Sequence, residues 1–371
     1  MGAELQEEFM AVIISAFAFV LVFGVLYIGW HFAKFPLWQR TRFAGRGRWP
    51  LSFLASFLLF ALSLGLMGVH SVLLLYIFLG YLAADLLRCI LRFSPKVPKL
   101  PWNRAVFLFA AVFTIYGYWN ASHVVLQEYE MSVTAPAASG EFLRVALVSD
   151  IHLGTAVSLQ GLLEMKELAE AQEPDLFCLV GDIFDESTTE EEIAAAVELF
   201  GEMASNQPVY YTFGNHESYM ERSGDISRRE IRERLEAVGV TVLEDEVVQA
   251  EGYVIAGRKD ASQAVREPTA ELLAGVDSSY PVILLDHQPR AVDIALASET
   301  AADLQLSGHT HAGQIVPGRL LSYIATGKPV EYGYRTEGEL QVITTAGLGT
   351  WGIPVRTEAH AEIVMVKIEV K

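Results

Sequence analysis

Apolar residues form long uninterrupted runs over the first third of the chain. The run from Phe9 to Phe32 contains no Asp, Glu, Lys or Arg, and at about 1.5 Å rise per residue it exceeds the ~30 Å hydrocarbon core of a bilayer. A second stretch, 51–91, is too long for one crossing and has Gly65, Gly68 and His70 near its middle. This pattern favours two helices joined by a tight turn. We therefore predict four membrane-spanning helices, over 9–32, 51–68, 71–91 and 103–120, in a module of residues 1–121.

Beyond this module, short apolar runs alternate with amphipathic stretches. A segment rich in Ala, Ser, Pro and Gly, Thr134 to Gly140, indicates a linker over 122–142, followed by a domain over 143–371. The alternation of strands and helices is typical of an α/β fold. The predicted strands are 144–149, 176–180, 209–212, 254–256, 282–285, 304–306, 341–344 and 362–369. The predicted helices are 159–172, 190–204 and 226–238, the last of which has the charge pattern of a solvated face.

Charge separates the two parts of the chain. The formal net charge is −18 overall, with +6 over 1–121 and −24 over 122–371, so the chain is not a general nucleic-acid binder. The basic residues of the first part cluster in two loops on the same side of the four-span arrangement: Lys34, Arg40, Arg42, Arg46 and Arg48, then Arg88, Arg92, Lys96, Lys99 and Arg104. The rule that positive loops stay inside predicts an extracytoplasmic acidic domain. A cleavable signal peptide is the alternative for the first run, but Glu4, Glu7 and Glu8 precede it.

Polar residues with metal-binding side chains follow directly after the predicted strands. They form the motifs Asp150-Ile-His152, Gly181-Asp182-Ile-Phe-Asp185, Gly214-Asn215-His216-Glu217, Asp286-His287 and Gly308-His309-Thr-His311. Each motif alone is common in turns and helix caps. Together they contain five of the nine histidines, at the strand ends where α/β sheets bind ligands. Imidazole, carboxylate and amide donors suit Mn²⁺, Fe²⁺ or Zn²⁺, and the absence of a thiolate in the motifs argues against a structural zinc site.

In this order the motifs resemble those of the calcineurin-like metallophosphoesterase superfamily. The segments 307–314 and 347–352 resemble its membrane-linked YkuE/YaeI-like branch. The resemblance extends from about Leu143 to the C-terminus and implies an αββα sandwich of two mixed β-sheets flanked by helices. It also implies two divalent metal ions (Mn, Fe or Zn), with Asp150, His152 and His311 on the first, Asn215, His287 and His309 on the second, and Asp182 bridging both.

The resemblance further implies that His216 is a general acid whose ring is oriented by Asp185. For Glu217 a solvated or capping role stays open, and the sequence assigns no role to Asp286. The glycine- and tyrosine-rich stretch 313–335 is either an ordered loop packed on its own aromatic residues or a substrate rim. In the second case Arg335 or Arg356, the latter in the loop that contains Trp351, would contact a phosphate.

The expected activity is a membrane-anchored, metal-dependent phosphoesterase acting on phosphomono- or phosphodiesters of lipid or cell-envelope molecules. Its expected partners are membrane lipids and a phosphoester substrate, for which a lipid-linked phosphoester is one candidate, with no nucleic acid. The sequence does not set the oligomeric state. Two alternatives stay open. One is a cytoplasm-facing pyrophosphohydrolase of the UDP-2,3-diacylglucosamine type, which a topology reporter would reveal. The other is a non-catalytic receptor or scaffold on the same fold, which would fail to hydrolyse phosphoesters.

Overall fold

The chain forms two compact units in a computed structural model. The structure describes residues 22–35, 47–64, 68–91, 101–224 and 226–371, and the units are Met1–Tyr118 and Trp119–Lys371. In the described part of the first unit the helices are α1 (Val22–Ala33), α2 (Arg48–Leu64), α3 (Val69–Leu91) and α4 (Trp102–Ser122), and α4 continues into the second unit.

Two of the described helices, α3 and α4, are long and apolar enough to cross a membrane. Most of the predicted first span, and residues 65–67 of the predicted turn, lie outside the described residues, so a four-span module stays a prediction. Asp85 and Arg88, one turn apart on α3, form an ion pair, in which Arg88 Nη1 donates to Asp85 Oδ1 at 2.8 Å. Tyr27 Oη donates to the other oxygen of the same carboxylate at 2.7 Å, so both oxygens of Asp85 have a hydrogen-bond donor in this apolar helix.

The second unit contains two mixed β-sheets of six strands each among its described residues. The strands are β1 (Val124–Val133), β2 (Phe142–Val148), β3 (Leu176–Val180), β4 (Val209–Thr212), β5 (Thr241–Val242), β6 (Glu246–Gln249), β7 (Val254–Gly257), β8 (Val282–Leu285), β9 (Leu304–Ser307), β10 (Gly333–Glu337), β11 (Leu340–Thr344) and β12 (Ala361–Val370). The first sheet has the order β1-β12-β2-β3-β4-β5 and the second β10-β11-β9-β8-β7-β6. In the first sheet β2 to β5 are parallel, and in the second β7, β8, β9 and β11 are parallel.

The helices of this unit connect the strands. They are α5 (Leu159–Glu170), α6 (Glu190–Ala204), α7 (Asn215–Ser223), α8 (Arg228–Ala237), α9 (Thr269–Leu272), α10 (Ala291–Ala297) and α11 (Gly318–Thr326). The start of α6 shows why the sequence predicted it well. Thr189 and Glu192 form a reciprocal capping box there, which satisfies backbone donors at the helix N-terminus, and acidic residues in the first turn favour the helix dipole.

Alternating side chains on each central strand build a four-layer sandwich. On β3, Leu176, Cys178 and Val180 point into the core between the sheets, whereas Phe177 and Leu179 pack against α5, α6 and α8. On β8, Ile283 and Leu285 face the inter-sheet core, and the alternate residues pack beneath α9 and α10. Because both faces are buried, these strands read as continuous apolar runs. The αββα architecture expected from the sequence is therefore confirmed.

The segment predicted as a linker is instead part of this unit. Residues 124–133 form β1, which pairs in parallel with β12 over its whole length, and Pro136–Ala138 forms one turn of 3₁₀ helix. Met131 and Val133 are buried in the inter-sheet core, while Glu128 and Glu130 lie on the other face of this edge strand and gave the segment its polar character. Edge strands carry such charges because one face and one edge stay solvated.

Candidate metal centre

The five motifs come together at one edge of the sandwich, where β2, β3, β4, β8 and β9 end. Asp150, His152 and His311 present ligand atoms that all lie within 4.8 Å of one another, and so do Asp182, His287 and His309. These two groups correspond to the two ligand sets that the resemblance implies. The trio His152, Asp182 and His216 meets the same distance limit. It links the two groups and places His216 beside them.

The first group is held together by short contacts between its side chains. His152 Nε2 lies 3.3 Å from His311 Nε2, and His311 Nε2 lies 3.6 Å from Asp150 Oδ1. The backbone N–H of His309 donates to both oxygens of Asp150, at 3.0 and 2.9 Å. This contact joins the end of β2 in the first sheet to the end of β9 in the second, so the site needs both sheets.

The second group is organised around His287 and Asp182. His287 Nδ1 lies 2.8 Å from the carbonyl oxygen of Val180, which accepts its proton and leaves Nε2 directed into the site, 3.0 Å from Asp182 Oδ2. An outer hydrogen bond that fixes the tautomer of an imidazole is the usual arrangement for a metal ligand. Asp182 Oδ1 accepts from the backbone N–H of His216 at 2.9 Å.

The loops that bear these side chains bend sharply. Among the described residues, nine non-glycine residues have positive φ, and five of these are predicted ligands, with φ between 46° and 70°: Asp150, His152, Asp182, His309 and His311. Such a backbone costs roughly 1–3 kcal/mol per residue and clusters at functional sites. Glycines allow the close approach of the loops, since a Cβ on Gly214 would overlap Asp182 Oδ1 and a Cβ on Gly308 would overlap Asp150 Oδ2.

Two buried atoms of the site, Asn215 Oδ1 and His311 Nδ1, have no hydrogen-bond partner among the described residues. His287 Nε2 and His152 Nδ1 face the carboxylates of Asp182 and Asp185, at 3.0 and 3.4 Å. Buried polar atoms in folded proteins are nearly always satisfied, so the two orphaned atoms on predicted ligands need an explanation. Imidazole nitrogens, carboxylates and an amide oxygen form a donor set that a pair of borderline divalent ions would satisfy. The residues present therefore fit the metal ions that the resemblance implies.

The protonation states also favour cation binding. Burial by itself raises the pKa of Asp182, but the imidazoles of His287 and His152 hold that pKa well below its usual range. Burial lowers the pKa of His311 to about 3, so its ring is neutral. Burial likewise lowers the pKa of His287, yet Asp182 outweighs it and raises the pKa well above the ordinary value. The carboxylate of Asp182 thus favours a positive charge at His287 Nε2. A metal ion bound there would supply that charge in place of a proton.

Glu217 has a capping role, one of the two that the sequence leaves open. Its carboxylate is fully buried and accepts five hydrogen bonds in the described structure: from the backbone N–H of Asp182, Ile183, Phe184 and Gly214 and from the Tyr211 hydroxyl, at 2.8–3.3 Å. Burial, with a further contribution from Asp182, raises the pKa of Glu217, and donors such as Tyr211 and Gly214 oppose that shift. Glu217 therefore ties the loop after β3 to the loop after β4.

The structure corrects the residue expected to orient His216. Asp185 Oδ2 lies 3.4 Å from His152 Nδ1, and its other oxygen accepts from Thr155 and from the backbone of Ser187. The carboxylate beside His216 belongs to Glu186, whose Oε2 lies 2.9 Å from His216 Nδ1. Glu186 follows Asp185 directly, but it lies outside the spacing of the motif, so sequence reasoning passed over it.

Asp286 acquires a role only in three dimensions. It is fully buried, forms an ion pair with Arg258 at 3.1 Å and a second one with Arg266. Both arginines also contact Asp293, at 3.4 and 3.2 Å. Asp286 immediately precedes His287 in the chain, and β8 ends at Leu285. The buried charge network therefore holds in place the segment that carries His287.

Neither arginine expected at a substrate rim is free to contact a phosphate. Arg356 is fully buried, and its guanidinium donates to backbone carbonyls of Ala346, Gly349 and neighbouring residues, with the Ala346 contact at 2.8 Å. Arg335 is paired with Glu331 and Glu337, at 2.8 and 2.7 Å. The stretch 313–335, expected as a loop, contains the helix α11 instead.

A cavity of about 570 Å³ opens over the clustered side chains. It is lined by predicted site residues, namely Asp182, Asn215, His216, His309 and His311, by Gln314 and Trp351 of the segments 307–314 and 347–352, and by Glu186 and Tyr219, which the sequence did not single out. The cavity is large enough for a small phosphoester. Trp351 is half exposed and lies in one of the loops predicted to form a rim.

Comparison with known proteins gives consistent results. The sequence profile of the calcineurin-like phosphoesterase family matches residues 143–313. A zebrafish (Danio rerio) "transmembrane protein with metallophosphoesterase domain" is 30% identical over 277 residues, which cover 71% of this chain and 61% of that protein. An uncharacterized metallophosphoesterase of Helicobacter pylori is 32% identical, covering 61% of this chain and 60% of its own length. Phosphodiesterase YaeI of Escherichia coli is 26% identical over 61% of this chain and 82% of its own length.

The chain thus spans about three fifths of the length of the first two of these relatives. The family profile covers the strands that carry the five motifs. The convergence of those motifs in one cluster is the structural counterpart of that sequence match. The chain therefore carries a domain of the calcineurin-like metallophosphoesterase family, and its candidate metal centre is built from motifs that resemble those of that family.

Proposed function

We propose that this chain is a membrane-anchored, metal-dependent phosphoesterase that hydrolyses phosphomonoesters or phosphodiesters of lipid or cell-envelope molecules. The observation that carries the proposal is the convergence of side chains from all five motifs in one cluster, part of which lines a cavity open to a substrate. The family of the domain supports a phosphoester as the substrate class. The printed name of the Escherichia coli relative, a phosphodiesterase, supports the same class.

Two divalent ions, of Mn, Fe or Zn, would be held by the predicted ligands. Asp150, His152 and His311 would hold one ion, Asn215, His287 and His309 the other, and Asp182 both. When bound, such ions supply the electrophilic charge and the acidified water that phosphoester hydrolysis requires. They also supply positive charge for an anionic substrate in a domain that is itself strongly acidic.

The protein side chains contribute proton transfer and orientation. With Nδ1 of His216 engaged by Glu186, Nε2 is the ring nitrogen available to protonate the departing oxygen of the substrate. A positioned general acid contributes about 10²–10⁴-fold in rate. Glu186 acts through His216, as a positioning residue. Tyr219 packs edge-on against the His216 ring with centroids 5.5 Å apart, which limits the rotation of that ring.

Two observations support a location of the proposed activity at a bilayer. Helices α3 and α4 have the length and composition to span a membrane, and two relatives of the chain are named transmembrane proteins. The basic loops of the first module favour an extracytoplasmic domain. Lipid phosphoesters and cell-envelope precursors are the phosphoesters that such an enzyme would meet.

The activity is tested with the full chain purified in detergent and supplied with Mn²⁺, Fe²⁺ or Zn²⁺. We expect hydrolysis of bis-p-nitrophenyl phosphate or p-nitrophenyl phosphate. Asp182→Asn should lose bound metal, measured by elemental analysis, together with turnover. His216→Ala should retain its metal and lose turnover by about 10²–10⁴-fold. Asp277→Asn, at a fully exposed carboxylate, is the matched control and should behave as wild type.

Full activity in Asp182→Asn or His216→Ala would refute the assignment of the site. Metal binding without hydrolysis of either substrate would favour the non-catalytic receptor or scaffold. Orientation is tested separately with a compartment-specific reporter fused after Lys371. Reporter activity outside the cytoplasm is expected, and cytoplasmic activity would instead favour a pyrophosphohydrolase acting on a nucleotide-linked lipid.

A further inference from the structure

The helix α11 at the mouth of the cavity presents an apolar face to solvent. We call it the rim helix, Gly318–Thr326; none of its own residues, all of them described, is buried. Leu320, Leu321, Tyr323 and Ile324 expose 57, 57, 54 and 69% of their surfaces. With residues about 100° apart, these four side chains fall within an arc of about 160°. A soluble surface rarely carries so many large apolar side chains together without an interaction that covers them.

The rim helix is attached to the wall of the cavity. Gly313 lines the cavity, and a Cβ at this position would collide with the backbone N and Cγ of Arg319, so the helix start packs directly against it. The backbone N–H of Arg319 donates to Glu358 at 2.8 Å. The first turn is therefore fixed at the site, while the apolar residues that follow extend outward.

The charge around the rim helix differs from that of the rest of the domain. Residues 315–330 contain Arg319 and Lys328 and no acidic residue, in a part of the chain whose net charge is −24. An anionic bilayer surface repels acidic segments and attracts basic ones. Residues 315–330, which include the rim helix, are therefore suited to approach such a surface. Two copies that packed these segments against each other would bring the like charges of Arg319 and Lys328 together.

The chain itself brings the domain to a bilayer. Helix α4, one of the two helices fit to span a membrane, ends at Ser122, and β1 of the domain begins at Val124. Only one residue separates them, so no long tether carries the domain away from the membrane. The rim helix carries leucine and isoleucine on one face, Arg319 in its first turn and Lys328 just beyond its end, a pattern typical of an amphipathic segment that lies in the membrane interface.

We infer that the rim helix docks in the interface of the bilayer and holds the mouth of the candidate site at the level of the lipid headgroups. Leu320, Leu321 and Ile324 enter the acyl boundary, Tyr323 lies at headgroup depth, and Arg319 contacts lipid phosphates. A consequence, which rests on the proposed function, is that the substrate class is a phosphoester whose phosphorus lies at headgroup level in the membrane. Docking itself does not depend on catalysis.

The docking is tested with the full chain in liposomes. Cys89 is replaced by serine, because it is exposed, while Cys178 is buried and stays. Ile324→Cys is then labelled with an environment-sensitive fluorophore, and quenching by lipids that carry a nitroxide at a known depth is measured. Val265→Cys, at an exposed apolar residue outside the rim helix, is the control. We expect quenching at position 324 by shallow nitroxides, stronger with phosphatidylglycerol present, and none at position 265.

A second measurement uses a matched pair of double variants. Leu320→Ser/Ile324→Ser removes two exposed apolar side chains one turn apart on the rim helix, and Val292→Ser/Leu296→Ser removes the equivalent pair, 62 and 52% exposed, on α10. The first should lower hydrolysis of a vesicle-embedded phospholipid by about tenfold or more, since burial of two such side chains accounts for at least that factor. Its activity on bis-p-nitrophenyl phosphate should stay unchanged. The α10 pair should change neither activity.

The outcomes separate docking from catalysis. Absence of lipid quenching at position 324 overturns the inference whether or not the protein hydrolyses phosphoesters. Fluorophore self-quenching that depends on the protein-to-lipid ratio, without lipid quenching, shows that a second copy covers the helix and also overturns it. Lipid quenching in a protein that hydrolyses neither nitrophenyl substrate would support docking and refute the proposed function.

Discussion

Replacing Glu217 by glutamine exchanges one oxygen of a buried carboxylate for an NH₂ group while the volume stays nearly constant. In the structure Oε1 accepts from Ile183, Phe184 and Tyr211, and Oε2 accepts from Asp182 and Gly214. The carboxamide can keep its oxygen at the first of these positions. Its NH₂ group then faces two backbone N–H donors, so both bonds are lost and two donors stay buried without a partner.

The size of the effect follows from those two bonds. A hydrogen bond to a charged group contributes about 1.5–3 kcal/mol, so two of them amount to about 3–6 kcal/mol. A domain of this size loses roughly 2–4 °C in Tm for each kcal/mol. The predicted decrease is therefore on the order of 6–24 °C. Because the lost donors belong to the loops of Asp182 and Asn215, we also expect weaker metal binding.

The assay is thermal unfolding of the full chain in detergent, followed by circular dichroism, with and without added Mn²⁺. Glu221→Gln is the control on the same helix. Its carboxylate is partly exposed and lies 3.0 Å from Arg228, a surface ion pair that contributes about 0–1 kcal/mol. If Glu217→Gln melts within about 2 °C of Glu221→Gln, a shift that corresponds to 1 kcal/mol or less, the reasoning fails, since a protonated Glu217 would tolerate the amide.

Two further predictions concern buried carboxyl groups outside the metal site. Asp286→Ala leaves Arg258 and Arg266 partly uncompensated in the interior, which costs about 3–5 kcal/mol; a Tm equal to that of wild type would contradict the network. Burial raises the pKa of Asp303 to about 6, above its unfolded value near 4, so the stability from its protonated form is present below about pH 4 and disappears as pH rises through about 6. Asp303→Asn keeps an acceptor for the backbone N–H of Val282 and has no charge to bury. As pH rises from 4 to 8, its free energy of unfolding should therefore increase relative to that of wild type by on the order of 1–2 kcal/mol, a figure that allows for the partial exposure of Asp303. Parallel profiles of Tm against pH for the two proteins would refute this.

The central strands and the longest domain helix were predictable because their local pattern and their tertiary environment agree. Strands β3, β4 and β8 occupy the predicted residues, since burial on both faces produces an unbroken apolar run. Helix α6 occupies its predicted range as well. Its capping box and its apolar spacing indicate the same helix, so no distant contact was needed to define it.

Other elements depend on tertiary contacts that the local sequence pattern does not indicate. Strand β1 alternates apolar residues with glutamates and became ordered by pairing with β12, more than two hundred residues later. Helix α7 has a polar sequence and starts inside a metal-binding motif, where Glu217 caps it. The rim helix was hidden in a glycine-rich stretch, because its apolar face is not buried in the domain.

The motif residues themselves were readable from sequence, since metal chemistry needs a particular set of donors and strand ends are where an α/β sheet presents them. The sequence did not indicate which carboxylate lies next to which imidazole. Asp185 and Glu186 are adjacent in the chain, and only the turn after β3 sends one to His152 and the other to His216. The burial of Arg356 and the partners of Asp286 are of the same kind. Arg356 donates to carbonyls of a folded loop, and Asp286 pairs with arginines 20 to 28 residues before it, so only the tertiary structure brings these groups together, because the local pattern of either residue carries no trace of its partners.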